Sequence, residues 1–166
     1  MGYDPYENAI PAPSFEISST DFEHGGALPT RAWAHGGHIS PSLSIGPLPE
    51  GTKSVLLTVF DPDAPIAGGF WHWLAILPAG LTELEAGIRL PEHVLRYRNS
   101  LGGTGYTGAA PPAGTGTHRY FFTATALDVE HLDLPPEASP AALQFTAIGH
   151  VLGRAILVGT ATPDEG

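Results

Sequence analysis

The chain has no cysteine and a single lysine, Lys53. Without cysteine it can form no disulfide, no thiolate metal site and no cysteine nucleophile. Seven basic residues stand against 17 acidic ones, for a formal charge of -10. That balance lacks the clustered Lys and Arg with which proteins neutralise nucleic-acid phosphates or anionic membranes, so neither partner is expected. No window approaches the roughly 18 apolar residues of a membrane span. The opening MGYDPYENAI has neither the basic nor the apolar stretch of a secretory signal, and a cytoplasmic location is expected.

What is present fits one domain: 166 residues, 42% of them hydrophobic. The 21 glycines and 17 prolines punctuate apolar runs and form no low-complexity tract, which predicts a β-rich domain with many loops. Residues 1–14, with Pro5, Pro11 and Pro13, read as an extended arm, and 15–162 as the domain. Strands are expected at Phe15 to Ser18, around Arg31 to Ala34, and over Ser40 to Gly46, where Leu43 and Ile45 alternate with serines. TKSVLLTVFD (52–61) and WHWLAIL (71–77) are near-continuous apolar runs of strand length, as in a sheet covered on both faces. A turn of helix is expected within Leu81 to Arg89. Arg119 to Asp128 forms a strand with Tyr120, Phe122, Ala124 and Ala126 on one face. Ser139 caps a helix that begins at Pro140, carries Ala141, Phe145, Ile148 and Leu152 as its apolar stripe and stops before Gly153. A last strand covers Ala155 to Gly159. The order is mainly β with one or two peripheral helices.

Several motifs invite a chemistry they do not support. Asp61-Pro62-Asp63 after a buried strand has the D-x-D order of aspartyl phosphotransferases, but the lysine, the magnesium-binding cluster and the parallel βα sheet of those sites are missing. Gly103 to Gly108 has the spacing G-x-G-x-x-G, yet Ala109-Ala110-Pro111-Pro112 follows where a helix must start, so this is a glycine-rich turn. His24, His35 and His38 read as solvated loop histidines, and no metal is expected. His72 and His118 sit among aromatics, where a buried ring needs a hydrogen-bond partner.

Taken together, DPDAP (61–65) ahead of FWHW (70–73), followed by GYTGAAPPAGTGTHRYFF (105–122), resembles the two signature regions of the phosphatidylethanolamine-binding protein family, in its bacterial branch similar to Raf kinase inhibitors. The likeness extends through 40–65, 132–145 and 147–160. It implies a β-sandwich in which a large central antiparallel sheet faces a smaller one, with an anion-binding pocket at one end. Matched motif by motif, it places Asp61, His72, Gly108, Pro112, His118 and Tyr120 in that pocket, and it implies no cofactor. A homodimer is expected from the same branch. On physical grounds, two imidazoles near a buried carboxylate would stay partly protonated and make the pocket cationic. Asp61 would orient a ring, while the Tyr120 hydroxyl and loop N–H groups would complete a cage for phosphate oxygens. Asp63 and Arg119 read as structural, Arg119 pairing with an acidic residue. Trp71 and Trp73 read as core packing on the face opposite His72.

The chain departs from the family pattern at Ile45, Leu77 and Ala161 and in the alanines of GAAPP (108–112). Each makes its surroundings smaller or less polar; any that line the pocket favour a ligand with an apolar part. Two functions follow. One is a binding module for a phosphate-like anion or phosphorylated headgroup, with regulatory contacts to a partner protein that the sequence does not name. The other is an enzyme using His72, His118 and Asp61 for acid/base cyclisation or hydrolysis of a small organic substrate. Binding is favoured, because no G-x-S-x-G and no cysteine supplies a nucleophile.

Overall fold

The computed structural model describes residues 2–164. The two long apolar runs become β3 (Ser54–Asp61) and β4 (Phe70–Pro78), and β7 (His118–Leu127) flanks β3 on its other side. With β6 (Leu95–Arg96) and β8 (Val151–Ala161) they build an antiparallel sheet in the order β6-β4-β3-β7-β8. A smaller antiparallel sheet joins β1 (Ile17–Ser18), β2 (Leu43–Ile45) and β5 (Glu83–Leu84) in the order β1-β2-β5.

The large sheet is covered twice, which is why every residue of β3 is buried. On one face Val55, Leu57, Val59, Tyr120 and Phe122 pack against Ile17, Leu43, Ile45 and Leu84 of the small sheet, giving a β-sandwich. On the other, Leu56, Leu74, Ile76 and Leu127 meet Leu143 and Ala147 of α1 (Pro140–Ala147). Among the described residues no helix is long and apolar enough to cross a membrane.

Several expected elements differ. Arg31 to Ala34 is no strand but two successive 3-10 turns, Thr30–Ala32 and Ala34–Gly36. The backbone closes locally, Ala32 N–H to the Pro29 carbonyl at 2.8 Å, and docks through Ala34 N–H on the Ala109 carbonyl at 2.8 Å. The expected helical turn within Leu81 to Arg89 is replaced by β5, because Leu84 pairs with Leu43 and Glu83 accepts a 2.6 Å hydrogen bond from the Ser44 hydroxyl. Ser139 does cap α1, its Oγ accepting from Ala142 N–H at 3.1 Å, and Pro140 starts it. The buried stripe, however, is Leu143 and Ala147, while Phe145 is 79% exposed and Ile148 44%. The helix ends at Ala147, and β8 begins at Val151, taking Leu152 and Gly153 into the sheet. The N-terminal arm turns at Asp4 to Ala9, with Glu7 N–H on the Asp4 carbonyl, before residues 13–15 run along the β8 edge at Arg154.

Candidate functional site

β3 ends at Asp61 and β7 begins at His118. Since Phe60 stands opposite Phe121, the two ends run side by side. Alternation puts Asp61, His118 and Tyr120 on the face that looks toward the small sheet. Asp61, 3% exposed, spends both oxygens: Oδ1 accepts the Asp63 N–H at 2.8 Å, and Oδ2 lies 2.7 Å from His118 Nδ1. The DPDAP turn therefore folds around the carboxylate it presents.

His72 reaches the same face by an irregularity. Val59 pairs with Trp73 and Phe60 with Trp71, so His72 has no partner on β3 and forms a β-bulge. Regular alternation would send this ring to the helix side. The bulge turns it instead to Tyr120, 5.1 Å between ring centroids, and to the Thr107 carbonyl, 2.7 Å from Nδ1. The tryptophans are thereby split, contrary to the sequence reading: Trp73 shares the His72 side of the sheet, whereas Trp71 stacks on Phe60 at 4.2 Å on the helix side.

All six residues that the resemblance singles out, Asp61, His72, Gly108, Pro112, His118 and Tyr120, line one cavity of about 330 Å³. This is within the range of about 300–1,000 Å³ usual for small-molecule sites. Its mouth is apolar, with Ile66 and Leu101 exposed at the rim and Pro65, Phe70 and Pro111 behind them. Among the described residues no lysine or arginine lines it.

The electrostatics correct one expectation. Burial holds the His72 imidazole below the usual histidine range, although the Thr107 carbonyl and Asp61 favour its charged form. Its Nδ1–H goes to Thr107, so at neutral pH Nε2 is an acceptor and the His72 ring is neutral. Tyr120 is held neutral as burial and the Asp61 charge push its phenol up. The Gly108 N–H is also unavailable as an anion donor, because it is donated to His38 Nδ1 at 2.9 Å. Gly108 is required for another reason: a Cβ there would lie 2.5 Å from the Trp33 carbonyl carbon.

Two residues not assigned to the pocket from the sequence enter the site, one of them His38, which the sequence reads as a solvated loop histidine. His38 lines the cavity, and Thr115 Oγ1 lies 2.7 Å from His118 Nε2. An H-x-x-H in a glycine-rich loop is only a weak signal for a metal and none for this pocket, and the second is set by a turn in which the Thr115 hydroxyl also reaches the Pro112 carbonyl at 2.6 Å. Of the departures from the family pattern, Ile45, Leu77 and Ala161 are buried in the inter-sheet core and none lines the cavity, whereas Ala110 does. Arg119 and Asp63 make the expected structural pair, Nε to Oδ2 at 2.8 Å and Nη2 to Oδ1 at 2.9 Å. His24 and His35 lie elsewhere, one accepting the Val158 N–H and the other stacked on Trp33.

Comparisons with known proteins agree with this architecture. Residues 18–162 match the sequence model for "Phosphatidylethanolamine-binding protein". The UPF0098 protein YbhB of Escherichia coli K12 is 42% identical over 151 residues, covering 84% of this chain and 95% of that protein. LppC of Mycobacterium tuberculosis, named as a candidate lipoprotein, is 37% identical over 153 residues, 90% of this chain and 75% of that one. The crystal structure of E. coli YbcL, described as a member of the mammalian PEBP family, superposes with a TM-score of 0.84 at 32% identity, over 91% of this chain and 99% of that one. With the motif residues gathered at one end of the same sandwich, the chain belongs to the phosphatidylethanolamine-binding protein family.

Proposed function

We propose that the protein binds a small ligand with a phosphate-like head and an apolar portion in the cavity at the end of β3 and β7. The observation that carries this reading is the division of the cavity into a polar floor and an apolar mouth. The floor is the Asp61–His118 pair with Tyr120 and His72; the mouth is Ile66, Leu101, Phe70 and Pro111. The Tyr120 O–H and the His118 ring supply donors for phosphate oxygens, and His72 Nε2 accepts from the P–O–H of a protonated monoester. The apolar rim covers what the head carries. We place the protein in the cytoplasm and expect it to pair as a homodimer; cell fractionation and light scattering check the two.

Histidine side-chain NMR during additions of inorganic phosphate, O-phosphoethanolamine and butyl phosphate tests the site. His72 and His118 should shift together and saturate, most tightly with butyl phosphate, and the response should vanish in Asp61→Ala and His118→Ala. Unmoved histidines would sink the proposal. The order hydroxyl–imidazole–carboxylate from Thr115 through His118 to Asp61, at 2.7 Å and 2.7 Å, favours one second reading, acid/base hydrolysis of a small ester with His118 as base. Turnover of small esters that is lost in His118→Ala would support it, and absence of turnover would remove it.

A further inference from the structure

The opposite face of the large sheet holds a second cavity, of about 450 Å³, roofed by α1 and walled by the N-terminal arm. The floor is unusual for the middle of a buried sheet. Thr58 and Thr125, 4% and 9% exposed, line it, and Thr123, which pairs with Thr58, is 1% exposed with an Oγ1 that has no hydrogen-bond partner among the described residues. The Tyr6 hydroxyl lies beside Thr58 and Thr123. Burial pushes the Tyr6 phenol up, so it remains a neutral donor. A buried hydroxyl without a well-formed hydrogen bond, as at Thr123, is costly unless something polar reaches it.

Among the described residues, the single charged side chain lining this cavity is Arg154. Its guanidinium touches the Tyr6 ring, 5.7 Å to the centroid, and donates at 3.2 Å to the Ile10 carbonyl. Like Arg89, Arg96 and Arg98, it forms no ion pair among the described residues. Around it the wall is apolar, and Ile10, Phe145 and Ile148 stand 50%, 79% and 44% exposed at the rim. A fork of N–H donors and hydroxyls under an apolar rim matches a carboxylate with a hydrocarbon tail, because guanidinium accepts the two coplanar oxygens side by side.

We infer that this cavity is a second ligand site, distinct from the one at Asp61 and His118, that takes an amphipathic monocarboxylate of medium-chain fatty-acid type. The carboxylate sits between Arg154 and the threonine hydroxyls, and the tail runs out beneath Phe145 and Ile148. The N-terminal arm is part of the site, since Tyr6 and Ile10 form its wall. It is tied down at the Tyr3 carbonyl by Arg119 Nη2 at 2.9 Å.

Methyl-resolved NMR with decanoate, decanol and acetate decides it. Decanoate should saturate and shift the Thr58, Thr125 and Ile148 methyls while leaving Ile66 and Thr107 still, and acetate should do nothing. Arg154→Gln should weaken decanoate at least tenfold and leave the weaker decanol response unchanged. Phe145→Asp, on an exposed side chain that the fold does not use, should weaken both and guards against a folding artefact at Arg154. Shifts confined to Ile66 and Thr107, a linear response, or an Arg154→Gln variant that binds decanoate as tightly as the parent would each overturn the inference. So would a dimer that Phe145→Asp dissociates and decanoate leaves intact, since that assigns the face to a second copy.

Discussion

His118 is fully engaged within the protein: Nδ1 faces Asp61, and Nε2 faces Thr115. The Thr115 hydroxyl has one hydrogen and two neighbours for it, the Pro112 carbonyl and the ring nitrogen. An anion that takes Nε2 must displace this threonine. Thr115→Val should therefore tighten phosphate binding about fivefold, the worth of one hydrogen bond of about 1 kcal/mol. Weaker binding in that variant, measured by NMR titration, would mean that Thr115 contacts the ligand itself. His72 makes the opposite kind of prediction. Above about pH 6.5 the ring is neutral in both folded and unfolded chains; below it the unfolded chain takes up a proton that burial denies to the folded one. Stability is thus lost as pH falls from about 6.5 toward the lower folded value. Urea midpoints at about pH 7.5 and pH 5 should drop less for His72→Gln than for the parent, and equal drops would remove His72 from the acid response.

At the level of elements, the turn after β3 is held from the neighbouring strand. Burial alone would raise the Asp63 carboxyl, but hydrogen bonds from the Arg119 side chain and amide, with its charge, hold it below the usual carboxylate range. Asp63→Ala removes this clamp and leaves Arg119 unpaired at the start of β7. A loss of about 1–2 kcal/mol is expected in denaturant unfolding, with phosphate binding weakened because Asp61 and His118 separate. A variant as stable as the parent would show that the prolines alone hold the turn. The long strands were legible because a sheet covered twice writes itself as unbroken apolar runs, SVLLTVF above all. Two-residue strands such as β5 and β6 carry no such text; their pairing is decided by partners distant in sequence. The face of α1 was misread for a related reason. Alanine, leucine and phenylalanine surround this short helix, and contact with Leu127 and Leu132, not spacing, selects Leu143 over Phe145. For the site, motif order picked out Asp61, His72, His118 and Tyr120, which line one cavity, but not His38 or Thr115. It could not show that Gly108 N–H is spent on a histidine 70 residues away, nor that burial would keep His72 neutral.

For the whole molecule, the charge of -10 surrounds a cavity that, among the described residues, no lysine or arginine lines. A phosphate-like ligand would approach against the field, so screening should help it. Raising ionic strength from about 0.01 M to about 0.15 M shortens the screening length from about 30 Å to about 8 Å. The association rate for butyl phosphate, read from NMR line shapes, should rise over that interval; a fall would reveal a local attraction stronger than the global repulsion. The bulge at His72 has a consequence on a longer timescale. The side of the sheet on which the imidazole emerges is decided by a count of residues, not by the identity of any one of them. Loss of a single codon between Phe70 and Trp73 would realign β4 with its neighbour as a regular ladder and delete the histidine from the cavity in one event. In descent, then, the fold and the pocket are separable by one insertion or deletion, and lineages that keep the sandwich need not keep the site.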